Sequence, residues 1–206
     1  MKPDWAVENL QTIRTLMERS ALYRRALAPI MLFAGTLGVI VAAAGLLFHL
    51  DSLRVFIMLW LGTAVIAVMG AFFIARRQAL REKEVFWSPP TRRVGQALVP
   101  PLLAGMCLGA LPAFASGHDE LKTLSILVWI LFYGCALHAA GFFMPRGIKL
   151  FGWLFIASGC LLFYALMADL LHSNCDGYYL MGFFFGVLHL AYGAYLYLTE
   201  RENPAA

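Results

Sequence analysis

Two histidines lie deep inside apolar runs. His138 sits within Gly134-Cys135-Ala136-Leu137-His138-Ala139-Ala140-Gly141, and His189 within the similar Gly186-Val187-Leu188-His189-Leu190-Ala191-Tyr192-Gly193. An imidazole among hydrocarbon is costly unless its nitrogens are engaged. Three chemistries suit such a pair. Each ring can hydrogen-bond a neighbouring helix's carbonyl, or Tyr133, Tyr192 or Ser158. Together with Tyr133 and Tyr192, the rings can line a pocket for a lipid or a small apolar molecule such as a quinone. Two neutral imidazoles on facing helices can also hold a b-type haem. Counted inward from the ends of their runs, the two histidines differ by four or five residues, roughly 6–8 Å of depth at 1.5 Å per residue, so a haem would need tilted helices.

A second set of ligating side chains falls at the ends of the runs: His49 with Asp51, His118 with Asp119 and Glu120, and His172 with Asp169 and Asp176. Imidazole and carboxylate suit zinc or a similar divalent ion. If the three tips converge, they can hold a metal that activates water for hydrolysis. The alternative is that these tips are polar because they face water. No HExxH motif, phosphate loop, nucleophile elbow or triad occurs, so no catalytic residue is assigned. Asp169 is the only carboxylate inside a predicted span, and it lies near the span's end. A proton-coupled transporter usually places a carboxylate near mid-depth. A transporter or channel therefore remains a rival reading without a motif of its own.

The elements that must position these residues follow from composition. Of the 206 residues 61% are hydrophobic and 14% charged, against roughly 25% charged in soluble domains. Mean hydropathy is +0.73. The pattern predicts an all-α integral membrane protein with spans at about 27–48, 53–75, 97–116, 121–143, 148–171 and 178–198. Short connections and internal echoes arrange these spans as three tandem antiparallel hairpins. Ala34-Gly35-Thr36-Leu37-Gly38 is matched by Ala104-Gly105-Met106-Cys107-Leu108-Gly109 at the same place in the second hairpin. Ala34/Gly38, Gly105/Gly109 and Gly182/Gly186 are small-xxx-small pairs that let helices approach closely. Pro29, Pro100 and Pro101 are expected in first turns, and Pro112 is expected to bend span three.

Residues 1–26 predict an amphipathic cytoplasmic helix, capped by Asp4, with Ala6, Leu10, Ile13, Met17 and Ala21 on one stripe. Residues 199–206 form a tail. In the longest connection, 76–96, span two is expected to continue as a charged helix through Arg81 and Glu84. Pro89 and Pro90 are expected to stop it, and Thr91 to cap a lead-in to span three. Of the 16 Lys and Arg residues, 14 lie before span one, between spans two and three, between four and five, or after span six; only Arg54 and Lys122 lie on the other side. The positive-inside rule puts both termini in the cytoplasm. The same distribution explains the net charge of +4 without a nucleic-acid partner. Cys107, Cys135, Cys160 and Cys175 form no CxxC pair and imply neither a thiolate zinc site nor a disulfide framework.

The segment Glu8-Asn9-Leu10-Gln11-Thr12-Ile13-Arg14-Thr15-Leu16-Met17-Glu18-Arg19-Ser20, the linker Phe86-Trp87-Ser88-Pro89-Pro90-Thr91 and the two Leu-His segments resemble a group of uncharacterised bacterial multi-pass membrane proteins. The resemblance implies a bacterial inner membrane and brings no activity or site residue. The functional expectation is non-enzymatic binding or sensing of a lipid or small apolar molecule within the bundle. A haem or zinc protein is the other alternative. The bilayer is the expected partner; a cytoplasmic protein at the N-terminal helix or at 76–96, and a homo-oligomer, are further candidates.

Overall fold

A chain surrounded by hydrocarbon must satisfy its backbone hydrogen bonds internally, and helices do so within a single segment. In the computed structural model, which describes residues 26–81, 83, 86–114, 121–144, 146–168 and 177–202, the ordered elements are all helical. We label them α1 (Ala26–Leu47), α2 (Leu53–Arg81), α3 (Pro89–Ala110), α4 (Leu121–Ala140) and α5 (Arg146–Met167). The sixth, α6, is one rod of three consecutive segments: α-helical Gly177–Met181, a π-helical turn Gly182–Val187 and α-helical Leu188–Glu202. Each of the six contains a span long and apolar enough to cross a membrane. The predicted N-terminal helix up to residue 25, and His118, Asp119, Glu120, Asp169, His172 and Asp176, lie outside the described residues; of the predicted tail, 199–202 continue α6 as helix and 203–206 lie outside.

The end where α1 begins is called the near end, and the opposite one the far end. Helices α2, α4 and α6 all start at the far end and meet there around Phe56. The Phe56 ring lies 5.0 Å from Tyr178 of α6 and 6.5 Å from Trp129 of α4. The other three helices pack outside this trio. α3 lies antiparallel on α4, with Gly105 and Gly109 against Phe132 and Trp129. α5 lies antiparallel on the opposite side of α4, with Gly152 against the His138 backbone and Gly159 against Leu131. α1 lies antiparallel on α6. A Cβ at Gly35 would fall 2.6 Å from the Leu190 nitrogen, and one at Gly38 would fall 2.9 Å from the Gly186 nitrogen, so these backbones touch with no room for side chains. First and last helices thus close the bundle.

Three short hydroxyls within the helices fold back on their own backbone. Thr36, Thr63 and Ser125 donate to the carbonyls of Leu32, Leu59 and Leu121, each four residues earlier. This is how a short hydroxyl satisfies itself without water. Imidazole, indole and phenol groups extend farther from the backbone, so their partners must come from elsewhere.

The 76–96 connection departs from expectation. α2 does continue to Arg81, but Pro89 and Pro90 open α3 rather than ending α2, and Ser88 rather than Thr91 is the N-cap residue. Proline suits the first helical positions because those N–H groups have no intrahelical acceptor. Starting α3 at Pro89 puts Pro100 and Pro101 in the helix interior, not in its first turn. The carbonyls of Gln96 and Ala97 therefore lose their usual donors. Near Pro112 the helix tightens into a 3-10 turn, Leu111–Phe114. Beyond Thr63, α2 leaves the trio and exposes Val65, Ile66, Val68, Met69, Phe72 and Phe73.

Candidate functional site

His189 is buried, 2% exposed, in the middle of α6. Its Nε2 lies 2.6 Å from the Tyr133 hydroxyl of α4, and its Nδ1 lies 2.9 Å from the Phe184 carbonyl. A carbonyl can only accept, so Nδ1 carries the proton. In the neutral ring Nε2 then accepts the Tyr133 O–H. The aromatic walls are Phe151 at 5.3 Å and Phe155 at 5.7 Å, both on α5, and Phe185 stacked at 6.1 Å.

The π-helical turn is what makes this geometry available. In an α-helix the Leu188 N–H would reach the Phe184 carbonyl; here it donates to Phe183 instead. The freed Phe184 carbonyl is taken by the histidine side chain. The wider turn also lets two successive residues face inward: Phe184 packs on Phe155, and Phe185 on Trp60 and Tyr133. Single-turn π insertions of this kind recur at functional positions. The sequence signal was available in Gly182-Phe183-Phe184-Phe185-Gly186, whose three phenylalanines cannot all share one helical face with His189.

His138 is elsewhere. Its ring packs edge-on against Phe142 at 5.4 Å and Trp153 at 5.2 Å, and shares no ring contact with His189. Its Nδ1 is buried without a hydrogen-bond partner among the described residues. With both His189 nitrogens engaged and His138 facing different neighbours, these two imidazoles are not placed to clasp one haem iron. Tyr192 stacks on Phe151 at 4.6 Å, and its Oη points at Gly147 in the first turn of α5. That oxygen also lacks a partner, as do the indole N–H groups of Trp60 and Trp129. Sequence reasoning did not single out these two tryptophans, since an indole inside an apolar run reads as packing.

At the far end the described part of the second set is His49 and Asp51, both exposed in the turn after α1. His49 adopts φ 50°, and its carbonyl accepts the Asp51 N–H at 2.9 Å. Among the described residues no group of three or more His, Cys, Asp or Glu side chains could hold a metal ion. The two far-end cations are both engaged. Arg54 Nε donates to the Ala113 carbonyl at 3.3 Å, at the C-terminal turn after α3. Lys122 Nζ lies 5.1 Å above the Phe56 ring and 5.7 Å from that of Tyr178.

No family model matches the chain, and neither the curated proteins nor the solved structures contain a significant match to it.

Proposed function

We propose that this chain is a multi-pass protein of the bacterial inner membrane that binds or senses a lipid or small apolar molecule within its bundle, without catalysing a reaction. Six apolar helices support the membrane reading. The two echoed small-residue segments, at the same place in the first and second hairpins, support an arrangement of tandem hairpins. The one-sided distribution of cations supports cytoplasmic termini.

One observation carries the binding reading: among the described residues Trp60 Nε1, Trp129 Nε1, His138 Nδ1 and Tyr192 Oη are buried and unpartnered, whereas Thr36, Thr63 and Ser125 bond their own backbone. Each such group costs about 1–3 kcal/mol if left unmet. The two indoles can only donate. A ligand that met the indoles would offer acceptor oxygens on an apolar frame, such as lipid ester groups or a quinone.

The test is to purify the protein in mild detergent, extract it with organic solvent and identify what co-purifies. An ester- or carbonyl-bearing species is expected, with occupancy reduced about two- to tenfold in Trp60→Phe or Trp129→Phe, the worth of one hydrogen bond. Absence of any such species, with the Phe variants more stable than the parent, would show that the indoles face nothing and sink the reading.

A further inference from the structure

At the near end the protein carries a second feature, unrelated to the buried tyrosine–histidine pair. Arg76, Arg77 and Arg81 close α2, and Arg92 and Arg93 open α3; all five are exposed. None of their guanidinium groups has an ion-pair or hydrogen-bond partner among the described residues. Over 76–93 the sequence holds six cations, these five and Lys83, against two carboxylates, Glu82 and Glu84.

The linker between the two helices folds back on α2. The Phe86 ring packs at 5.0 Å on Phe72, and Trp87, 62% exposed, lies against Phe86. Phe72 is one turn before Arg76, so the aromatic pair and the first arginines lie at about the same height. The run from Leu53 to Ala75 spans roughly 34 Å at 1.5 Å per residue, close to the ~30 Å hydrocarbon thickness. Arg76 therefore comes where hydrocarbon gives way to headgroups, and an exposed tryptophan suits that same layer. The first turn of α3 holds no acid. Arg92 and Arg93 thus stand near the positive end of the helix dipole, an arrangement that is unfavourable until an anion arrives.

We infer that this arginine cluster binds the phosphate headgroups of anionic phospholipids, with Trp87 seated beside them at the interface. The inference rests on the reading of the chain as a membrane protein, but not on any ligand within the bundle. Guanidinium suits phosphate because its planar fork donates two parallel hydrogen bonds. Five guanidiniums at headgroup height, without a partner among the described residues, match a lipid surface in both charge and depth.

The test uses the full chain reconstituted into phosphatidylcholine vesicles with or without phosphatidylglycerol. Lipids retained through purification are then counted by native mass spectrometry. The parent protein is expected to retain phosphatidylglycerol over phosphatidylcholine. Each Arg→Gln change at 76, 77, 92 or 93 should weaken that preference about fivefold at low salt. The corresponding Arg→Lys variants should keep most of it, and they guard against a merely misfolded glutamine variant. Equal retention of the two lipids, or a preference that survives all four glutamines, overturns the inference and leaves this face to a protein partner. Alkaline-carbonate extraction of the same membranes separates the two layers of the argument. Release of the protein from them would remove the membrane reading itself, whereas retention without lipid preference removes only this inference.

Discussion

The Tyr178 hydroxyl donates to the Leu50 carbonyl at 2.8 Å, tying the start of α6 to the turn after α1. The two residues are 128 positions apart. Tyr178 is 1% exposed, and its ring also meets Phe56 of α2 and lies beneath Lys122 of α4. One side chain therefore holds four helices at the far end.

That role predicts a graded response. Tyr178→Phe should cost about 0.5–1.5 kcal/mol, the net worth of one hydrogen bond. Tyr178→Ala should cost about 3–5 kcal/mol, because it also opens a cavity at the junction. Reversible unfolding in mixed micelles measures both. Equal stabilities for the parent and the phenylalanine variant would mean that the Leu50 contact contributes nothing.

The Tyr133–His189 pair calls for a double-mutant cycle. Tyr133→Phe leaves Nε2 without a donor, and His189→Leu leaves both the Tyr133 hydroxyl and the Phe184 carbonyl unmet. Coupling between hydrogen-bonded groups on neighbouring membrane helices averages about 0.6 kcal/mol and reaches about 1.7. A value in that range is expected, with His189→Leu the costlier single change. Strict additivity would mean that the two side chains do not interact.

Two glycines on neighbouring helices should respond in opposite directions to the same substitution. Gly38→Ala pushes a methyl group into the α6 backbone at Phe185 and Gly186, so the seam must open. Gly62 has nothing within 4 Å of an added Cβ. Gly62→Ala should therefore gain up to about 1 kcal/mol from helix propensity alone, while Gly38→Ala loses stability. The signs come from the same unfolding measurement. A stabilised Gly38→Ala would contradict the packing of α1 on α6.

Orientation can be read by labelling. In a chain with Cys107, Cys135, Cys160 and Cys175 replaced, Asp51→Cys and Arg81→Cys place thiols at exposed positions at opposite ends of α2. A membrane-impermeant reagent should label the first in intact spheroplasts and the second only after lysis. The reverse pattern would invert the proposed orientation. Labelling of both from one side would mean that α2 does not cross.

Much of the architecture is legible in the chain. The six apolar runs coincide with α1–α6 to within a few residues except at α2 and α3, and α2, α3 and the end of α6 run past the apolar stretch into charged sequence. The misplaced roles of Pro89 and Pro90 have one cause: proline marks a boundary without saying on which side of it the helix lies; the earlier start of α3 then carries Pro100 and Pro101 into its interior. The partnership of His189 with Tyr133 stood among the alternatives raised by the sequence. The engagement of its other nitrogen did not, because it depends on a carbonyl freed by a π turn. The unpartnered indoles of Trp60 and Trp129 were not legible either, since apolar neighbours along the chain are the same whether or not an acceptor waits across the helix interface.

What the sequence determined by itself is therefore local: the six apolar spans, roughly where they end, and how the cations divide between their ends. Length, hydropathy and charge are properties of consecutive residues, and each can be read without knowing the neighbours in space. Only the tertiary structure decided that α1 closes on α6, that α4 is flanked by α3 and α5, and that His138 and His189 face different neighbours. In water a helix records its buried face as an apolar stripe. In these helices the outward faces are as apolar as the inward ones, so periodicity keeps little record of which side meets another helix. That choice is made by glycine contacts and a few directed hydrogen bonds, which exist only once the helices have met.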